Sequence, residues 1–117
     1  MGINLAEVSS ALKLLEETLG AKMIKAEVHK IDGWNPEGAP GLHPLVLLWY
    51  KCREDLAMAS LTGTSPNSRW VQELLSLAGL LQSAAVHPRY QQVVVKLRYK
   101  ESVHEGINQL KELRLDE

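Results

Sequence analysis

Leu5, Val8, Leu12, Leu15 and Leu19 recur at steps of three and four residues, so a helix would bring all five side chains onto one face. A stripe of this kind is stable only when buried, and the rest of the chain must supply what buries it. The end signals agree with the spacing. Asn4, with Glu7 three positions on, is a variant of the capping box, and Gly20 tolerates the backbone turn that stops a helix. Residues 4 to 19 are therefore read as a helix.

The period then changes. From Lys22 to Ile31, Ile24, Ala26 and Val28 alternate with Lys25, Glu27 and His29, the pattern of a half-buried strand. Residues 32–44 hold Asp32-Gly33, Asn35-Pro36, Gly38, Pro40, Gly41 and Pro44, a density of turn formers that predicts one long loop. Leu45 to Leu61 fits two templates. Leu45, Leu48, Trp49, Cys52, Leu56 and Ala59 make a helical stripe. The apolar run Leu45 to Tyr50, the polar cluster Lys51 to Asp55 and the return Leu56 to Thr62 make a hairpin, which is the preferred reading.

Ser65-Pro66 predicts a second helix, with proline at its first position, running to about Ala85 before His87-Pro88 ends it. Gln91 to Lys100 alternates again, Val93, Val95, Leu97 and Tyr99 inward against Lys96, Arg98 and Lys100 outward, and reads as a strand. Val103, Ile107, Leu110 and Leu113 mark a final helix. The order α-β-β-β-α-β-α predicts an α+β fold in one domain over residues 1–117. In it, three helices pack a small antiparallel sheet of three or four strands.

Bulk properties narrow the function classes. A formal charge of −1 gives no global attraction to nucleic acid or anionic lipid. Cys52 is the only cysteine and cannot form an internal disulfide. No basic-then-apolar leader and no apolar run near membrane length is visible, so a soluble, cytoplasmic protein is expected. His29, His43, Cys52, His87 and His104 lack short ligand spacing, and no glycine fingerprint sits between a strand and a helix; neither a metal nor a cofactor is expected.

The candidate binding residues fall into four groups. Ser65, Ser68 and Arg69 at a helix start are a candidate anion site. Arg89, Tyr90, Lys96, Arg98 and Lys100 would share a basic, aromatic strand face suited to RNA. His43 and His87 each precede a proline at an element's edge, where a histidine can move protons, and Trp34 in the long loop offers a stacking surface. Trp70 opens a helix whose apolar residues, Val71, Leu74, Leu75, Leu77, Ala78, Leu80 and Leu81, cover more than one face. Such a helix is either enclosed within the monomer or forms a partner surface.

Two stretches resemble known families. Asp55-Leu56 through Leu61-Thr62-Gly63, with Ala78-Gly79, Glu101-Ser102 and Gly106, looks like the ribosome-binding factor A family. That resemblance implies a KH-like fold and binding to small-subunit ribosomal RNA, although Lys100 stands where that family has an aspartate. His87-Pro88 followed by Val93, Val95 and Leu97 is similar to pterin carbinolamine dehydratases, but Val86 replaces the first histidine of their motif, so that activity is not carried over. The leading expectation is a non-catalytic binding or assembly protein that forms homo-oligomers through the apolar helix. An RNA-binding accessory protein and a small enzyme or ligand-binding protein with a pocket near the long loop are the alternatives.

Overall fold

The structure is a computed structural model and describes residues 4–31 and 41–115. Among these residues the fold is all-α, and it corrects the α+β expectation: six α-helices and one 3₁₀ turn, with no strand. The helices are α1 Leu5–Leu19, α2 Ala21–Val28, α3 Pro44–Thr62, α4 Arg69–Ala84, α5 Tyr90–Lys96 and α6 Val103–Leu115, with the 3₁₀ turn Lys100–Ser102 before α6.

α1 forms as its stripe predicts. Val8, Leu12, Leu15 and Leu19 are buried, Asn4 Oδ1 accepts the Glu7 N–H at 2.7 Å, and Gly20 at φ 93° takes its own N–H back to the Glu16 carbonyl.

The segment 22–31, read as a strand, is α2 as far as Val28. Lys22, Met23, Lys25, Ala26 and Glu27 are strong helix formers, and Ile24 and Val28 lie one turn apart facing the core while Ala26 is exposed. A short alternation satisfied both periods, and the composition decided between them.

Leu45 to Leu61 is the helix α3, not a hairpin. The polar cluster Lys51 to Asp55 holds no glycine, proline or asparagine that could reverse the chain, and all five of its residues continue a helix without strain. Pro44 sits at the first helical position, where its missing N–H is harmless, and Gly63 at φ 70° closes the other end in the left-handed conformation. α4 starts later than expected, with Ser68 rather than Ser65 as its cap, so Pro66 precedes the helix.

The strand predicted over 91–100 is α5 followed by a turn. Val93, Val94 and Leu97 are buried, whereas Val95 and Tyr99, predicted inward, are 43% and 60% exposed. The valine run favours a strand locally, but with 22–28 and 45–62 helical no strand remains among the described residues to pair with it, and the helix buries Val93 and Val94. The same absence of a sheet removes the KH-like fold implied by the first resemblance.

α3 is the central element. α1 and α4 both pack on it, α4 also packs on α1 and α6, and α5 packs on α6. The body measures 42 × 36 × 20 Å, about two helix diameters deep. Leucine is the commonest residue of its core, with Leu15, Leu74, Leu81 and Leu110 nearly inaccessible. Trp49 closes the α1–α3 contact by donating its indole N–H to Glu16 at 3.2 Å, with Arg53 over the ring at 4.8 Å.

Two glycines test this packing. Gly79 lies on the open side of α4 with no atom within 4 Å of an added Cβ, so Gly79→Ala should raise stability by about 0.5–1 kcal/mol through helix propensity. Gly106 in α6 meets α5 so closely that a Cβ would come within 2.9 Å of Leu97 Cδ2 and 3.2 Å of Lys96 Cβ. Gly106→Val should lower stability by about 1–3 kcal/mol. Urea unfolding of both variants checks the pair.

Candidate functional site

His43 is the most constrained of the candidate residues. It is the N-cap of α3, its ring 2% exposed, with Nδ1 accepting the Leu45 N–H at 3.1 Å. An accepting Nδ1 requires the ring proton on Nε2, and Nε2 has no hydrogen-bond partner among the described residues. The His43 backbone N–H donates to Glu27 Oε2 at 3.1 Å, while Glu27 Oε1 takes the Lys30 ammonium at 2.8 Å. One residue thus ties the start of α3 to α2. Burial pulls the His43 pKa below its ordinary value, against the Leu97 backbone, Glu27 and Glu101, which favour the charged ring, and with Lys100, which opposes it. Glu27 is held below the usual carboxylate range: its burial acts the other way, but Lys30 and the His43 N–H prevail.

His87 fills a local role in the turn after α4, where Nδ1 accepts the Arg89 N–H at 3.0 Å. Arg89 is the N-cap of α5, and Tyr90, half-buried against the core, has its hydroxyl pKa raised by burial. Trp34 lies outside the described residues.

The basic strand face does not exist, because its three cations leave α5 and the turn in different directions. Lys96 reaches Glu105 at 3.0 Å on α6, Arg98 donates Nε–H to the Thr18 carbonyl at 3.0 Å on α1, and Lys100 lies beside Gly41. Ser68 caps α4 through the Val71 N–H at 3.2 Å and donates its own hydroxyl to Asp55 on α3. The chain's own carboxylate therefore stands at the helix start where an anion was expected; Ser65 is exposed in the preceding loop, and Arg69 extends over the Trp70 ring at 5.8 Å and toward Glu73 at 4.0 Å.

Cys52 is fully buried in the core, and burial ahead of Asp55 and Glu73 pushes its pKa up to about 12, so its neighbours Lys51 and Arg53 do not activate it. Among the described residues no three His, Cys, Asp or Glu gather to hold a metal ion, and no helix is long and apolar enough to cross a membrane.

Two of the concave surfaces among the described residues are lined mainly by apolar side chains. A cleft of about 700 Å³ lies between α1, α2 and α3, with Ile24, Val28, Ile31, Trp49 and Tyr50 among its walls and Lys25 and His29 at its edge. A groove of about 580 Å³ runs where α3, α4 and α6 meet. Its apolar floor includes Leu47, Trp70, Leu80 and Ile107, all half-buried, and Arg69, Glu73, His104 and Lys111 rim it. Of the predicted residues Arg69 and Trp70 come together in this groove, and Arg89 and Lys96 line a smaller concavity of about 180 Å³ between α5 and α6. Leu47, Leu80 and Ile107 read as core in the sequence. The available signal was the excess apolar width of α4, which three neighbours and this groove now account for. Gln72, Ser76, Gly79 and Ser83 form its exposed stripe.

The His43 geometry sets a pH dependence. Its folded pKa is below the unfolded value near 6.5, so the unfolded chain binds more protons as pH falls past that value. The contribution is complete above it and is lost on acidification. Urea unfolding should give lower stability at about pH 5 than at about pH 7.5. His43→Asn, which caps without titrating, should flatten this window, leaving a further loss at lower pH as Glu27, held below the usual carboxylate range, takes up its proton. Equal slopes in both proteins would remove the role given to His43.

Set against known protein families, curated proteins and solved structures, the chain matches none of them.

Proposed function

We propose that this chain is a non-catalytic binding module that takes an amphipathic helix of a partner protein into the groove between α3, α4 and α6. The observation carrying the proposal is the groove itself, an apolar floor contributed by three helices with charged groups confined to its rim. A helix laid in such a groove buries side chains at i, i+3, i+4 and i+7 against the floor while its polar face stays in water. Trp70, flat, half-buried and backed by Arg69, has the character of the aromatic and arginine anchors that dominate contact energies. Arg69 and Lys111 outnumber Glu73 among the charged rim residues and favour a partner helix with acidic flanks.

This reading keeps the expected class, a binding protein, and moves the contact surface. The broad apolar face of α4 is spent on α1, α3 and α6 inside the monomer. What α4 offers a partner is Trp70 and Leu80 at the groove.

Selection of helical peptides from a displayed library against the intact protein tests the reading. Selected peptides should share apolar residues at helical spacing, shift the Trp70 indole resonance, and lose at least about tenfold in affinity to Leu80→Glu. Peptides that bind Leu80→Glu as well as the parent, or a library that yields no binder, would reject it.

A further inference from the structure

The cleft between α1, α2 and α3 owes its shape to the way α2 is held. Gly20, at φ 93°, turns the chain off the end of α1, and the Glu27 carboxylate accepts the His43 N–H at the start of α3. Between and just beyond these anchors Ile24, Val28 and Ile31 follow at steps of four and three residues, and they share a cleft of about 700 Å³ with Trp49 and Tyr50 of α3. Ile24, Ile31 and Trp49 are buried, so these walls are recessed, whereas the floor of the α3–α4–α6 groove is half-buried. A recess of this kind takes a slender ligand and not a helix about 10 Å across. Its volume falls among those of small-molecule sites, roughly 300–1,000 Å³. The cleft and the groove share no lining residue among the described residues.

The polar groups of the cleft select the ligand's head. Lys25 and His29, one turn apart, stand on the same flank of α2 beside Ile24 and Val28. Both are exposed and, like the half-buried Tyr50, their side chains have no hydrogen-bond or ion-pair partner among the described residues. Lys25 carries a positive charge, an imidazole donates an N–H in either protonation state, and a phenol donates its O–H. Glu16, the remaining polar wall, is already engaged, its Oε1 accepting the Trp49 indole N–H at 3.2 Å. What the cleft offers a ligand is therefore one full positive charge and further donors, the complement of an acceptor-only carboxylate. A single lysine balances one negative charge and leaves the second charge of a phosphate monoester uncompensated beside Glu16.

We propose that this cleft is a binding site for a small monocarboxylate with an apolar body, of the class of medium-chain fatty acids. The chain lies against Ile24, Val28, Ile31, Trp49 and Tyr50, and the carboxylate rests at the edge on Lys25 and His29. α2 is about 12 Å long, a length that an extended decanoate matches. Each methylene taken from water into the cleft strengthens binding by up to about fourfold. The site is separate from the groove and does not depend on its occupation.

Titration of the intact protein with decanoate, decanol and decylamine, each below its micellar concentration and followed by NMR, tests the site. Decanoate should bind saturably, shifting the Trp49 indole N–H and the Ile24 and Ile31 methyl resonances while the Trp70 indole in the groove stays in place. It should bind more tightly than octanoate, and more tightly than either of the other two head groups on the same chain. The double change Lys25→Gln with His29→Gln, at two exposed positions, should weaken decanoate at least about fivefold and leave decanol unchanged. Failure of decanoate to bind overturns the proposal. So does decanol or decylamine binding as tightly as decanoate, a double variant that binds decanoate like the parent, or shifts at Trp70 in place of Trp49. None of these outcomes decides whether the groove takes a partner helix, which peptide selection scores separately.

Discussion

Nineteen residues from Pro44 to Thr62 have to remain one helix for the other elements to have their places. α3 carries the buried side chains against which α1 and α4 pack, and through α4 it positions α6 and then α5. Its ends are held by different devices: the imidazole of His43 at the start, with proline immediately after it, and a left-handed glycine at the stop. Because His43 also takes Glu27 with its backbone N–H, the same residue fixes where α2 meets α3. A single residue thus links helix initiation, through its ring, to tertiary contact, through its backbone N–H.

Legibility in the sequence followed the number of agreeing local signals. α1 has a five-member stripe and signals at both ends, and it forms where those place it. α6 has a clear stripe and is a helix as read. Elsewhere the period was ambiguous. Ile24, Ala26 and Val28 fit a strand, yet Ile24 and Val28 are also one helical turn apart. The run Val93-Val94-Val95 favours a strand locally, but a strand requires a partner, and the chain supplies none among the described residues. α3 shows the limit most clearly, since apolar residues lie on both of its faces and blur the single stripe by which a helix is recognised. Whether Lys51 to Asp55 turned back depended on residues that favour helix, not on their polarity.

The candidate residues divide on similar lines. Those named for their type at an element's edge proved to be local caps: the side chains of His43 and Ser68 hold helix starts, and that of His87 holds a turn. This is what polar groups beside unsatisfied backbone amides do most often. Lys96, Arg98 and Lys100 were grouped by a strand period and scattered once the period became helical. Trp70 lines a groove because three helices converge beside it. The groove was not legible, since it depends on which apolar residues remain uncovered after packing.

The continuity of α3 is the claim on which both the capping and the groove stand. Backbone NMR assignment measures it directly. Helical Cα secondary shifts and sequential amide contacts should run without a break from Leu45 to Leu61, passing through Lys51 to Asp55. A reversal of the shifts across Lys51 to Asp55, with cross-strand contacts between Leu45 to Tyr50 and Leu56 to Thr62, would contradict the account.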